Sequence, residues 1–247
     1  MSTTFLTASW RNLIMANYVV DPALLQAYLP CRMEIDTFND EHYISLVGFL
    51  FEDVKLKGIA FPFHTNFEEV NLRFYVRYKE SNNWKRGVVF IKEIVPRRMI
   101  TFIANTMYSE NYATHTMKHT YTETPDELNV SYEWKVGKDW NHLNCVAEKT
   151  PKPIVTGSGE EFITEHYWGY TFINQMCTGA YQVIHPKWKV HTIKTYDIRC
   201  SIKQLYGETF VEALNQQPRS VFLAEGSSVK VMMGTKIFDQ QKRSDGH

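Results

Sequence analysis

The residues best suited to chemistry in this sequence stand in one short segment, residues 69–76. Polar and apolar side chains alternate there, as in a β-strand whose successive side chains point to opposite faces. One face then carries Glu69, Asn71, Arg73 and Tyr75. An arginine binds a carboxylate through two parallel hydrogen bonds, and a glutamate acts as a base or orients a carbonyl. The segment predicts a site for a small carboxylated or carbonyl ligand, with Glu69 as a catalytic candidate and Asn71 and Arg73 as ligand-binding candidates.

Two environments are open for this polar face. Neighbouring residues on one face of a strand are roughly 6.7 Å apart, so Glu69 and Arg73 are roughly 13 Å from each other and cannot pair directly. If the face lines a barrel, each charge needs a partner from another strand, a water or a ligand, because an uncompensated buried charge is costly. If the face meets solvent, these residues are ordinary surface. An apolar opposite face that packs on outer helices would favour the first environment.

A second candidate follows a predicted strand at residues 110–112. Glu110, Asn111 and Tyr112 bring a carboxylate, an amide and a phenol to a junction between strand and loop, which suits the mouth of a pocket. The same residues also make a plain turn, since asparagine is a common turn residue. We take Glu110 and Tyr112 as further ligand-binding candidates.

The histidines are predicted to be structural rather than metal ligands. His115 and His119 share one face of a predicted strand, but a zinc site would need a third ligand such as His142 or Glu110, and the spacing fixes none. We therefore expect hydrogen-bonded histidines, no metal and no cofactor.

Residues 165–168 form a last cluster. Tyr167 and Trp168 are expected to fill the core. Glu165 or His166 turned towards the interior is the second possibility at this position.

The elements that must position these residues are mostly strands. Segments rich in Val, Ile, Phe, Tyr and Thr alternate in polarity between turn residues. Strands are predicted near Glu34–Asp36, Tyr43–Phe51, Glu68–Tyr78, Gly87–Val95, Met99–Tyr108, Thr116–Tyr121, Leu128–Val136, Tyr167–Phe172, Gly179–Ile184, Lys189–Ile198, Val221–Ala224 and Val229–Met233. The alternation in Leu128–Val136 predicts one face exposed to water.

Three helices are predicted between the strands. The first begins at Asp21, where proline occupies the first helical position, and it ends near Pro30. The second begins at Ser158, which forms a capping box with the glutamate three residues later. The third extends from about Ile202 to Leu214, with a glycine inside it.

Many strands with few helices favour a closed or nearly closed sheet, which also removes exposed strand edges. The fold class is therefore mainly β with a few short helices, arranged as one β-barrel domain over residues 1–237. The polar residues 238–247 are expected to form a flexible tail.

The composition argues against some classes of binding partner. The 247 residues include 27 basic and 27 acidic side chains, so no net field attracts nucleic acid or anionic lipid. The dibasic pairs at residues 85–86 and 97–98 are expected to be solvated strand ends. No apolar stretch approaches the roughly 18 residues of a membrane helix, and residues 1–10 lack the pattern of a signal peptide. Four scattered cysteines are typical of a reducing compartment, so we predict a cytoplasmic protein that binds neither nucleic acid nor membrane.

Several motifs, taken together to about Ile237, resemble the YqjF-like family of bacterial proteins, a conserved domain of unknown function. They are Phe5-Leu6-Thr7-Ala8-Ser9-Trp10-Arg11-Asn12-Leu13, Asp21-Pro22, Leu29-Pro30, Tyr43-Ile44-Ser45-Leu46-Val47-Gly48-Phe49, Asn66-Phe67-Glu68-Glu69-Val70-Asn71-Leu72-Arg73, Gly87-Val88-Val89-Phe90, Glu110-Asn111-Tyr112, Met117-Lys118-His119 and Glu165-His166-Tyr167-Trp168. The resemblance implies the fold of acetoacetate decarboxylase, a cone-shaped, mostly antiparallel β-barrel with its active site inside.

The decarboxylase forms an imine through a lysine whose pKa is lowered by an adjacent lysine and an apolar pocket. The resemblance makes Lys118 the nearest counterpart and a second catalytic candidate. His119 stands where the second lysine would be, and His115-Thr116-Met117 replaces the Gly-Phe-Pro run before it.

The leading hypothesis is a barrel that binds a small carboxylate or keto acid, with Glu69, Asn71 and Arg73 as the polar floor and lyase- or decarboxylase-like chemistry. A non-catalytic ligand binder or sensor is the alternative on the same scaffold. An oligomeric structural or interaction protein is the third hypothesis, and a homo-oligomer is compatible with all three.

Overall fold

Strand pairing dominates the part of the chain that the computed structural model describes, which is residues 3–97, 101 and 110–239. Within these ranges the strands form one 12-stranded sheet and one four-stranded sheet. In chain order the strands are β1 Thr4–Val19, β2 Met33–Ile35, β3 Tyr43–Leu56, β4 Phe67–Glu80, β5 Asn83–Val95, β6 Tyr112–Thr114, β7 Met117–Glu123, β8 Glu127–Val136, β9 Asp139–Glu148, β10 Lys152–Pro153, β11 Trp168–Asn174, β12 Cys177–Ile184, β13 Lys189–His191, β14 Ile193–Arg199, β15 Ser220–Met232 and β16 Thr235–Phe238.

The large sheet closes on itself. Strand β15 pairs with β1 on one side and with β12 on the other, through Val183 opposite Val231 and Ile184 opposite Lys230. The ring therefore runs β15–β1–β3–β4–β5–β11–β12 and back to β15. Neighbours in the ring are antiparallel except β5 and β11, which are parallel. Closure gives these strands hydrogen-bonding partners on both sides, so the predicted mainly β barrel is confirmed.

Alternate residues of the ring strands build two apolar clusters. On strand β4, Val70, Leu72 and Phe74 point outwards and pack with residues of the four-stranded sheet, such as Trp134. On the inside, Tyr75 belongs to a second cluster. The four-stranded sheet has the order β14–β9–β8–β7 and covers the outside of the ring. The polar face of β4 therefore lies on the inside of the barrel.

Strand β8 has one solvent-exposed face, as its sequence predicts. Val130, Tyr132 and Trp134 are buried against the ring, whereas Asn129 and Lys135 are exposed. The open sheet thus uses alternation to separate core from solvent.

The helical segments are short. A 3₁₀-helix spans Pro22–Tyr28, with the side chain of Asp21 accepting a hydrogen bond from the Ala23 amide. An α-helix spans Gly159–Thr164, capped by Ser158. The carboxylate of Glu161 accepts a hydrogen bond from the Gly157 amide, one residue earlier than in a regular capping box.

The predicted third helix is divided. It consists of Ile202–Tyr206, the 3₁₀ turn Glu208–Phe210 and Val211–Asn215. Gly207 interrupts it because its φ of 88° lies in the left-handed region, which no helical residue adopts. None of the helices in the described ranges is long and apolar enough to cross a membrane.

Several boundaries differ from the predictions. Strands β1, β6, β9, β10 and β16 were not predicted. The predicted strand Lys189–Ile198 is divided between the two sheets as β13 and β14. The two predicted closing strands form the single strand β15. Gly226 lies within β15 and has a φ of 75°. The predicted strand Met99–Tyr108 lies outside the described residues except for Thr101, which is helical. Of the predicted tail, Phe238 ends β16, and residues 240–247 lie outside the described residues.

Candidate functional site

A cavity of about 140 Å³ lies inside the ring, with apolar walls and a polar group of side chains. Strand β4 contributes Glu69, Asn71 and Arg73, because its apolar face is held against the outer layer. The cavity is also lined by Glu110 and Tyr112, which precede and begin strand β6. The structure therefore brings together every predicted site residue except Lys118.

Glu69 is almost fully buried and has two hydrogen-bond donors. Asn71 Nδ2 donates to its Oε1 at 2.9 Å, and Tyr112 Oη donates to its Oε2 at 3.0 Å. Burial raises the pKa of Glu69 to about 7, against these two hydrogen bonds and the charge of Arg73, which lower it. This carboxyl group can therefore gain or lose a proton near neutral pH.

Two more carboxyl groups share the cavity. Tyr181 Oη donates a hydrogen bond to Glu110 Oε1 at 2.9 Å, and burial raises the pKa of Glu110 to about 8. Glu93, on strand β5, lies opposite both Asn71 and Tyr112. Burial raises its pKa well above the usual range, and the charges of Glu110 and Glu69 raise it further. Burial and the mutual repulsion of the three carboxyl groups therefore favour their protonated forms, most strongly for Glu93 and Glu110.

Glu93 is a site residue that the sequence reasoning missed, and the reason is a β-bulge. The pairing of β4 with β5 matches Leu72 to Lys92 but Arg73 to Phe90, so Ile91 is an extra residue. Both Ile91 and Lys92 then point outwards, where Lys92 Nζ donates to the carbonyl of Leu205. Strict alternation from Phe90 would have placed Lys92 in the cavity, whereas the bulge places Glu93 there.

Arg73 is the basic group of this wall. Its guanidinium carbon lies 5.8 Å from the centre of the Tyr75 ring, and its Nε is buried with no hydrogen-bond partner. Within residues 3–97, 101 and 110–239 it has no carboxylate within salt-bridge distance. A guanidinium is charged at all relevant pH values, so it can bind an anion that enters the cavity.

His166 lies on another part of the wall and pairs with Asp36, which pairs with Arg86. His166 Nε2 is 3.2 Å from Asp36 Oδ2, and Arg86 Nε donates to the same oxygen at 2.6 Å. Burial lowers the pKa of His166 to about 4. Of the two interior candidates in residues 165–168, His166 is the one that lines the cavity, whereas Glu165 accepts a hydrogen bond from Tyr167.

The placement of Lys118 in this cluster is wrong. Lys118 lies on β7 in the open sheet, with 57% of its side chain exposed, and its Nζ is 3.1 Å from Glu133 Oε2. It also lies 4.9 Å from the centre of the Trp140 ring. The physical reason is the sheet to which β7 belongs, because its polar face meets solvent rather than a cavity.

The neighbouring histidines are hydrogen-bonded separately from one another. His115 contacts the Lys135 carbonyl, His119 contacts Glu68, and His142 contacts Asp197. The described residues hold no group of three or more His, Cys, Asp or Glu side chains that could bind a metal ion.

The fold and cavity define a class of closed, mostly antiparallel β-barrels, and solved structures of this class superimpose on almost the whole chain. An acetoacetate decarboxylase from Legionella pneumophila shares 14% identity with a TM-score of 0.66, covering 96% of this chain and 89% of that one. The enduracididine biosynthesis enzyme MppR, complexed with pyruvate, shares 10% identity with a TM-score of 0.64, covering 96% and 91%. An acetoacetate decarboxylase-like enzyme from Sphingomonas wittichii shares 9% with a TM-score of 0.65, covering 95% and 93%. The acetoacetate decarboxylase-like fold is thereby confirmed.

The chain belongs to the DUF2071 family, described as an uncharacterized conserved protein, whose model matches residues 7–228. It is similar to the uncharacterized protein YqjF of Bacillus subtilis, with 30% identity over 161 residues. That match covers 65% of this chain and 62% of the relative, which is less than two thirds of its length. The family resemblance of the sequence motifs is confirmed.

Proposed function

We propose that the cavity binds a small organic acid or keto acid through Arg73, and that the carboxyl and phenol groups around it exchange protons with the ligand in lyase-type chemistry. The observation that carries the proposal is the charge balance of the cavity. Arg73 retains its positive charge, whereas burial favours the protonated forms of Glu69, Glu93 and Glu110. An entering carboxylate would supply the missing negative charge.

The proton-exchanging groups support chemistry at neutral pH. A general acid or base works best when its pKa lies near the working pH, and Glu69 and Glu110 have pKa values of about 7 and 8. Tyr112 and Tyr181 donate hydrogen bonds to these two carboxyl groups and so connect them to the cavity wall. Pyruvate, with which the related barrel MppR forms a complex, has the size and chemistry that this cavity would suit.

The reaction that we propose proceeds without an imine. The described residues that line the cavity include no lysine, and of the residues outside the described ranges only 242 is a lysine. The bulge in β5 turns Lys92 outwards, and Lys118 lies on the open sheet. Proton transfer between buried carboxyl groups and the ligand is therefore the better-supported lyase chemistry. Stabilisation by a ligand without turnover would favour the non-catalytic binder instead.

The test is the affinity for pyruvate and for its uncharged methyl ester, measured by calorimetry. We expect the wild type to bind pyruvate and Arg73→Gln to bind it about 10- to 100-fold more weakly, as for a lost hydrogen-bonded charge. Arg77→Gln is the matched control, because Arg77 lies on the same strand but outside the cavity, is half-buried and pairs with Glu34 at 3.0 Å. Equal affinity in wild type and Arg73→Gln, or equally tight binding of the ester, would contradict the proposal.

A further inference from the structure

The two nitrogens of the His166 ring have different surroundings. The ring is buried between Tyr75 and Phe162, with ring centres 4.8 Å and 5.1 Å away. Nε2 faces Asp36, which does not line the cavity, whereas His166 itself does. Nδ1 is buried and has no hydrogen-bond partner among the described residues. A buried polar atom in a cavity wall without a partner points to a ligand group that supplies one.

Asp36 fixes which ring nitrogen carries the proton. The hydrogen bonds from His166 and Arg86 hold the pKa of Asp36 at about 2 despite its burial, so this group is an ionised carboxylate and only accepts hydrogen bonds. Nε2 must therefore be the protonated nitrogen. Burial, together with the charges of Arg86 and Arg73, keeps the pKa of the imidazole at about 4, so the ring is neutral at physiological pH. Nδ1 is then a fixed acceptor.

Arg73 and His166 lie close enough to contact one small ligand. Both pack against Tyr75, with the guanidinium carbon 5.8 Å and the imidazole centre 4.8 Å from the centre of that ring. The charge of Arg73 contributes to the low pKa of His166. A small acid whose carboxylate is held by Arg73 could therefore reach the imidazole with a substituent on the neighbouring carbon.

We propose that His166 Nδ1 accepts a hydrogen bond from a hydroxyl group of the ligand, so that the cavity selects acids with a hydroxyl or enol group beside the carboxylate. This inference rests on the proposed binding of an acid by Arg73. It adds a second contact to the ligand, from His166, and it makes Asp36 a positioning residue that orients the imidazole. Acids of the same size without the hydroxyl would leave Nδ1 unpaired and bind more weakly.

The test compares two pairs of acids that differ only in the hydroxyl group, lactate with propionate and mandelate with phenylacetate. We expect wild type to prefer the hydroxy acid of at least one pair by about tenfold, the usual effect of one unpaired buried group. His166→Phe keeps the ring packing and should bring that ratio to about one without changing the affinity for the acid that lacks a hydroxyl. His166→Gln, whose amide oxygen can accept the bond, should restore part of the preference.

A matched control is His191→Phe, since His191 is buried outside the cavity and binds the carbonyl of Glu148. It should leave the preference unchanged. Equal binding of hydroxy and plain acids by wild type would overturn this inference while leaving the role of Arg73 intact. Failure of all four acids to bind while pyruvate still binds would overturn this inference alone, and failure of pyruvate as well would overturn both proposals. The ratio in wild type alone decides the inference if His166→Phe does not fold.

Discussion

Strands β4 and β8 carry the same alternation of polar and apolar residues and use it in opposite ways. Both turn their apolar residues, Leu72 on one and Trp134 on the other, into the layer between ring and open sheet. The polar faces differ, since Glu69 on β4 is 2% exposed, whereas Asn129 on β8 is exposed to solvent. Closure makes the difference, because the polar face of β4 points into the interior of a closed ring, whereas the polar face of β8 belongs to an open sheet and meets solvent. Alternation identifies a polar face, and closure of the sheet decides whether that face is a pocket.

The difference extends to the charged groups. On the open sheet, Lys118 and Glu133 form an exposed ion pair that compensates both charges in water. In the ring, Glu69, Glu93 and Glu110 share a cavity with Arg73, and burial raises the pKa of each of them. Only the second arrangement shifts pKa values in a cavity that a ligand can enter, and such shifts are typical of functional sites.

The largest expected effect tests the layer that the two strands share. Trp134→Ala should lower the free energy of unfolding by about 3–5 kcal/mol, because a fully buried aromatic side chain leaves a cavity between ring and open sheet. Trp140→Ala, at the exposed end of the neighbouring strand β9, should cost less than about 1 kcal/mol. Urea unfolding measures both values. Similar losses in the two variants would mean that the open sheet is not packed on the ring.

The next effect tests the buried carboxyl groups through pH. The folded-state pKa of Glu110 is raised to about 8 from an ordinary value of 4.5, so between these values the folded state binds more protons than the unfolded state. Stability contributed in this way is fully present below pH 4.5 and is lost as pH rises through 8. We expect the melting temperature to fall by several degrees between pH 6 and pH 9.

Two variants separate the cavity from the surface in this measurement. Glu110→Gln removes one titrating group and should flatten the fall in melting temperature. Glu133→Gln, on the open sheet, should keep the slope of the wild type. An identical slope in wild type and Glu110→Gln would show that Glu110 ionises as it does in water.

The strands and the polar face of β4 could be predicted because both depend on short-range alternation, whereas the barrel was predicted from the number of strands and the family resemblance. The capped starts at Asp21 and Ser158 were predictable for the same reason, since a cap needs only local residues. Strand β1 was missed although it is 16 residues long. The third helix was extended through Gly207, whose positive φ is not encoded by helix propensity alone.

The rest of the site depends on long-range geometry. Glu93 enters the cavity only because Ile91 forms a bulge against β4, and a bulge depends on the register of two strands. His166 meets Asp36 across 130 positions of sequence. Lys118 was misplaced because the sequence shows that β7 is a strand and does not show which sheet it joins.

The smallest expected effect is at Lys118, which tests the difference between the open sheet and the cavity at the exposed sheet. An exposed lysine–glutamate pair contributes little, because water screens both charges and two side chains must be ordered. Lys118→Gln should therefore change the free energy of unfolding by less than about 1 kcal/mol and leave the affinity for pyruvate within about twofold.

Borohydride reduction in the presence of pyruvate, followed by measurement of the intact mass, should add no mass at Lys118. The decarboxylase lysine reacts inside an apolar pocket, whereas the exposed Lys118 side chain lies on the open sheet and outside the cavity. A reduced adduct on Lys118 that disappears in Lys118→Gln would place chemistry on the open sheet and remove the functional distinction between the two regions.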